Sequence, residues 1–509
     1  MDSSRSRSLV LATIGALGIS ACAPDGSSRL PVAPEDGPQL QTSGAASAAL
    51  VPTGRFMLIG QGSRLPADLE QRVQAAGGRL TSVLPEIGVA FAEPVAATFS
   101  ANAAGIGGIE SVTPDVMLEY TAPVGERQQL SAAELFGADG PAAAGEVSAQ
   151  ALPSELAEGE TFWSFQWAPR AVQAPDAWDA GYTGAGARIA ILDGAIYRNH
   201  LDLAPNLDVA ASASFVPGVA WDQDVGTFWH GTHVAGIAAA ALNGIGTIGV
   251  APNATLIGVK VLHNGSGAFE WILNGIIYAA KPLSEGGAGA HIINMSLGAT
   301  FGYRTDWQDK EFRDAFTELQ KSYDRGTRYA YQQGVTVIAS AGNGATNYDE
   351  AKQLFKFPAQ NQHVISVSAT GPWNWASGAT DFFRPAYYTD HGKSLVDLSA
   401  PGGNFGYPGN ELCTVVGTVR TITNPCWVFD GIMSPVRGTT TANYSGAQGT
   451  SMAAPMVAGV AALVVGKSGG TATPAQVRTV LQQSAADLGA PGKDIWYGHG
   501  WVNAYRAIQ

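Results

Sequence analysis

The sequence predicts an α/β protein: a parallel sheet with helices on both faces, preceded by a small α+β domain. Two patterns carry that prediction. From Arg188 onward, short apolar runs (Thr255–Leu262, His291–Ser296, Val335–Ala339, Val364–Ala369) alternate with helical stretches around Phe269–Ala280 and Phe312–Gln333. Strands that are apolar on both faces and separated by helices belong to a covered parallel sheet. Upstream, residues 53–120 hold short strands and helices in the order β-α-β-β-α-β, the pattern of a compact α+β unit. A chain of 509 residues accommodates two or three domains, and 46% hydrophobic against 14% charged residues is a globular composition. The formal charge is −13 with no basic cluster, which argues against a nucleic-acid partner.

In chain order, Arg5 and Arg7 precede an apolar stretch, Leu9–Ile19, that is too short for a membrane span. It ends in Ile19-Ser20-Ala21-Cys22, which resembles a bacterial lipoprotein signal with Cys22 as the lipidated residue; an ordinary secretory signal is the other reading. Residues 23–52 are rich in Pro, Ser, Gly and Ala and read as a tether. In the 53–120 unit, Arg55–Gly60, Arg79–Leu84 and Ile87–Ala92 read as strands, Pro66–Ala76 and Val95–Ala104 as helices, and Ile109–Tyr120 as extended chain. Pro66 suits a first helical position, and Gly77-Gly78 stops that helix. Residues 121–160 are again small and polar and read as a linker. The segment 161–509 forms one domain, entered through Phe165–Trp178 and closed by helix Pro474–Ala486.

The chemistry centres on Gly449-Thr450-Ser451-Met452-Ala453-Ala454-Pro455. A serine at the start of the apolar helix Met452–Val465 lies where free backbone N–H groups stabilise an oxyanion. A lone serine hydroxyl is a weak nucleophile and needs an imidazole to take its proton. His230, in His230-Gly231-Thr232-His233-Val234-Ala235-Gly236, is the candidate base, and Asp193, ending the apolar Ile189–Asp193, is the candidate partner that orients it. These motifs, in the order Asp, His, Ser, resemble the subtilisin-like serine proteases from about Trp167 to the C-terminus.

That resemblance implies a subtilisin-like fold and a serine endopeptidase acting through an acyl-enzyme, with broad specificity. It makes Asn343, in Ser340-Ala341-Gly342-Asn343, the oxyanion residue. It makes Gly265, Ser266 and Gly267 and also Ser296, Leu297 and Gly298 the edges that clasp an extended polypeptide. Residues 53–120 resemble the family's inhibitory, ferredoxin-like propeptide, so the chain's own propeptide is an expected partner and the product a self-processed zymogen. A monomer exported to the cell envelope or beyond follows, touching membrane only through lipid at Cys22. One position departs from the family, which usually places Ser or Thr after the aspartate where this chain has Gly194; the expected effect is tuned activity.

The other cysteines, Cys413 and Cys426, lie in one insertion and form an even pair, so a disulfide pinning a hairpin near the active-site rim is expected. No cofactor is required and no metal is assigned. His233 lacks the spacing and glutamate of a zinc site and reads as a packed helix residue. Asp202 is a candidate ligand for a structural calcium, although the loop Leu242–Gly246 looks shorter than the calcium-wrapping version. A different class stays open: a peptide-binding or adhesin-like surface protein on the same fold, with little general proteolysis.

Overall fold

The computed structural model describes residues 51–119, 128–130, 153–226, 229–302, 310–417, 421–438 and 440–509. The expectations for residues 1–50, Cys22 included, lie outside them, as does most of the 121–160 linker.

The first unit runs β1 (Val51–Gly60), helix Leu69–Ala75, β2 (Gly78–Leu84), β3 (Val89–Pro94), helix Phe99–Ala103 and β4 (Ile109–Glu119). Its strands pair antiparallel in the order β2-β3-β1-β4. Leu58, Ala90, Val73 and Phe99 join the sheet to its two helices. Both helices start later than the sequence predicts. The chain enters each through a single tight turn, Leu69 N donating to Pro66 O and Phe99 N to Ala96 O.

After β5 (Gln128–Leu130), description resumes in helix Pro153–Ala157. The linker is therefore shorter than expected. Ser154 donates through N and Oγ to Asp179, and buried Glu160 accepts from Asn243 N and Gly244 N, so small and polar residues here anchor the chain.

The second unit contains β6 (Arg188–Asp193), β7 (Ala213–Ser214), β8 (Thr255–Lys260), β9 (Ser266–Ala268), β10 (Ile292–Met295), β11 (Ala299–Gly302), β12 (Thr336–Ser340), β13 (Leu354–Phe357), β14 (Val364–Thr370) and β15 (Leu398–Pro401). Seven of them form one sheet, β15-β14-β12-β10-β6-β8-β7, with every pair parallel. Alternation along β6 shows the two covered faces. Ile189 and Ile191 pack with helices His230–Ala239 and Thr450–Lys467, whereas Ala190 and Leu192 pack with helices Phe269–Ala280 and Lys310–Gln332. Helix Thr450–Lys467 is long and apolar enough to cross a membrane, but it is a core helix, buried from Thr450 to Val465.

From β6 the chain moves to β8 on one side, then returns to β10 and steps outward through β12, β14 and β15. The carboxyl ends of β6 and β10 thus part in opposite directions, and open α/β sheets bind ligands in the crevice this leaves. Asp193 ends β6, Ser296 follows β10, and Asn343 lies just beyond β12.

The insertion after β15 forms the hairpin β16 (Leu412–Val416) and β17 (Thr421–Pro425), with Cys413 and Cys426 disulfide-bonded. The bridge closes the hairpin, and its cysteines pack among Phe162, Phe165, Phe429 and Tyr444, against the entry segment of the domain. Antiparallel β18 (Ile432–Val436) and β19 (Asn443–Ala447) then lead into the serine helix, and β5 pairs along β19.

The two units meet edge to edge. β4 adds antiparallel to β9, Met117 opposite Ala268 and Leu118 opposite Gly267. Beside that seam Asp115 is fully buried, accepting from Thr53 Oγ1 at 2.7 Å and from Glu270 N at 3.0 Å. Burial pushes its carboxyl up to about 6, against which these bonds and Arg55 act. Burial at the seam therefore favours protonated Asp115 below about pH 6; its contribution is full below about pH 4 and lost as pH rises through about 6. Separation of the units in the uncleaved chain, followed by the fluorescence of Trp271 under Arg55, is expected at lower denaturant as pH climbs through that window. Asp115→Asn is expected to flatten the dependence.

Candidate active site

Asp193 is buried at the end of β6, and His230 opens the helix His230–Ala239. The carboxylate lies 2.8 and 2.9 Å from His230 Nδ1, and its Oδ1 also accepts from Gly194 N at 2.6 Å. A carboxylate on Nδ1 fixes the proton there and leaves Nε2 as the basic nitrogen. Nε2 is buried and has no hydrogen-bond partner among the described residues.

Gly449 adopts φ 154° and ψ 157°, a region open essentially to glycine, and turns β19 into the serine helix. Pro455 lies inside that helix and has no N–H to offer the carbonyl four residues back, which is that of Ser451. Ser296 takes the vacancy: its Oγ donates to Ser451 O at 2.8 Å, while Ser451 Oγ donates to Ser296 O at 3.2 Å. Asn294 Nδ2 donates to the Ser296 hydroxyl in turn. The candidate nucleophile Ser451 is thereby held against the strand end expected to bind substrate. Hydrogen bonds from such a hydroxyl to its base often close only once substrate is bound.

Asn343 Oδ1 accepts from both Thr450 N (2.9 Å) and Thr450 Oγ1 (2.8 Å). With its oxygen so engaged, the amide nitrogen is directed away from Thr450. Thr450 Oγ1 also accepts from Gly342 N. Thr450 thus orients the oxyanion candidate, a role that its place beside the serine did not reveal. Behind this loop, Asp390 accepts from Gly344 N and Thr346 N and pairs at 3.3 Å with the buried Lys356. The signal for such a pair was a lysine inside an otherwise apolar strand, Leu354-Phe355-Lys356-Phe357.

The two segments expected to clasp substrate lie at β9 and just beyond β10. Asn264 (φ 49°) and Gly265 (φ 77°) form a two-residue turn with both φ angles positive, closed by His263 N to Ser266 O, and deliver Ser266 and Gly267 on β9. Leu297 and Gly298 continue from Ser296 toward β11. His233 is buried; its Nε2 lies 2.9 Å from Ser445 O and 3.1 Å from Ile432 O, tying its helix to the β18–β19 hairpin.

Serine, histidine and aspartate gathered at the carboxyl edge of a parallel sheet, with a side-chain amide beside the serine, are the layout of a serine hydrolase. The Subtilase family model matches residues 184–500, and the chain belongs to that family of serine endopeptidases. It is 35% identical over 357 residues to alkaline elastase YaB from Bacillus sp. (strain YaB), covering 70% of this chain and 73% of that protein. It is 31% identical to thermitase from Thermoactinomyces vulgaris, covering 68% of this chain and 97% of thermitase. Among solved structures, the epidermin leader peptide processing serine protease from Staphylococcus aureus shares the fold at a TM-score of 0.65 and 19% identity, covering 91% of this chain and all of that one.

Asp202, the candidate calcium ligand, does not fit that ion. Its Oδ2 accepts from Thr247 N and Oγ1 and its Oδ1 from Tyr444 OH, so protein donors occupy the lone pairs that a cation needs. Among the described residues no cluster of three or more His, Cys, Asp or Glu can hold a metal. Burial raises Asp202 and Glu160 alike to about 8. Both acids are thus protonated in the folded state where an unfolded chain would have ionised them. The stability they contribute is full below about pH 4 and lost as pH rises through about 8. Melting temperature is expected to decline across that window, Asp202→Asn to flatten the slope, and a calcium chelator to leave the curve unchanged.

Proposed function

We propose that this protein is a broad-specificity endopeptidase, exported as a self-inhibited precursor that cuts itself free. Asp193, His230 and Ser451 form the triad. Ser451 Oγ attacks the scissile carbonyl while His230 Nε2 takes its proton, and Asp193 stabilises the resulting imidazolium. The Asn343 amide and Ser451 N–H receive the oxyanion. The tetrahedral adduct collapses to an acyl-enzyme as His230 protonates the departing amine, and a water activated by the same nitrogen releases the acid.

The observation that carries the zymogen reading is the docking of β4. An extended strand of the chain's own N-terminal unit lies antiparallel on Ser266–Ala268, the posture expected of a peptide substrate. Backbone pairing of that kind is insensitive to sequence, which supports broad specificity. In this reading residues 53–120 are the inhibitory propeptide, and cleavage falls between the end of β4 and the anchored Pro153. Lipid at Cys22 would hold the precursor at the membrane through the propeptide, so one cut both activates and releases a monomeric enzyme. Gly265–Gly267 and Ser296–Gly298 bind the substrate backbone.

Ser451→Ala is expected to fold, remain full-length and membrane-associated, and lose casein hydrolysis by about a million-fold. The parent is expected to yield a soluble form of roughly 355 to 390 residues. Asn343→Ala is expected to lower turnover by about 100- to 1,000-fold. N-terminal sequencing, fractionation and casein assays read these outcomes. Casein turnover by Ser451→Ala equal to the parent contradicts the triad, and equal processing of that variant assigns the cut to another protease.

A further inference from the structure

β6 and β8 end level with one another, so Lys260, the last residue of β8, pairs in register with Asp193. Lys260 has no exposed surface. Its ammonium donates to Asp224 Oδ2 at 2.9 Å and to Leu262 O at 2.7 Å. A buried lysine needs a counter-charge, and Asp224 supplies it. Asp224 does more than that. Its Oδ2 also accepts from Ala195 N (3.3 Å), on the loop leaving Asp193. Its Oδ1 accepts from Asn264 N (3.0 Å), in the turn that delivers the Ser266–Gly267 edge, and lies 3.1 Å from His263 Nδ1. One carboxylate therefore spans the aspartate loop, the end of β8 and the substrate turn, from within the segment that runs into His230. Among the described residues, Lys260 and His263 are the basic groups paired with Asp224.

Gly194 completes the arrangement. A Cβ there would stand 2.7 Å from Asp224 Oδ2. Where the family usually carries a hydroxyl side chain, this chain leaves room for the Asp224 carboxylate.

We propose that Asp224 is a positioning residue of the peptidase, locking the loop behind Asp193 to the turn that presents the substrate edge. The inference rests on the hydrolytic reading above, and acts on both turnover and substrate binding. Its test is steady-state kinetics on the processed enzyme, with concentrations set by active-site titration with a fluorophosphonate. Asp224→Asn is expected to lower kcat/KM by about tenfold or more, through a lower kcat and a higher KM. Its acid limb is expected to move to lower pH, because the unbalanced Lys260 charge disfavours the imidazolium. Adding Lys260→Met is expected to return the acid limb toward the parent's position without restoring kcat or KM, since one amide oxygen cannot serve both Ala195 N and Asn264 N. Full restoration would reduce Asp224 to a counter-ion and overturn the proposal, as would kcat and KM within twofold of the parent in Asp224→Asn.

Gly194→Ala keeps every charge, and its backbone lies outside the left-handed region. It is expected to reproduce the lower kcat and the higher KM with no shift of the acid limb. It decides the matter should Asp224→Asn fail to fold, and unchanged kinetics in it overturn the proposal. A parent with no titratable sites would overturn the hydrolytic reading itself, and this inference with it.

Discussion

A helix with no polar face has to be surrounded, and helix Thr450–Lys467 is such a helix. Burying it under β10, β12 and β14 brings its first turn to the edge where the strand order reverses. The remaining features of the site answer to that placement. Gly449 makes the entry, Pro455 releases the Ser451 carbonyl, and Ser296 binds it from the end of β10. Thr450 reaches back to Asn343. One buried helix thereby fixes Ser451 relative to strands that are far apart in sequence.

Charges hidden beneath the site fall into two kinds. Lys260 with Asp224 and Lys356 with Asp390 are pairs in which the carboxylate also accepts backbone N–H groups, so each pair pins a loop next to the candidate site. Leaving either partner alone in such a place would cost several kcal/mol. Asp202 and Glu160 face no cation among the described residues, and burial keeps them protonated. They clamp the loop at Asn243–Thr247 to the entry segment and to Tyr444 on β19. Ionic pairing thus supports the reaction loops, and neutral acids support the entry of the chain into its domain.

Much of this was legible in the sequence. Parallel strands buried on both faces announce themselves as continuous apolar runs, and β8, β10, β12 and β14 were read within a residue or two. The Asn264-Gly265 pair fits a turn with two positive φ angles, and the two later cysteines form the expected bridge. Asp193 and His230, far apart in the chain, stand within hydrogen-bond distance. Other features were hidden because they depend on partners distant in sequence. Nothing local marks Ser154 or Glu160 as anchors; their acceptor and donors are Asp179, Asn243 and Gly244. Asp224 reads as one of several surface acids until Lys260 is seen beside it. The helices at Leu69 and Phe99 start late because a tight turn competes with the first helical turn, a contest that periodicity does not register.

In the proposed chemistry Ser451 is a nucleophile activated by His230. The most direct measurement is covalent labelling of the processed protein with a fluorophosphonate, followed by peptide mapping. One adduct per chain is expected, on Ser451, and none in a His230→Ala protein that retains the parent's melting temperature. An adduct on a different serine, or labelling of Ser451 at the parent's rate without His230, would contradict it.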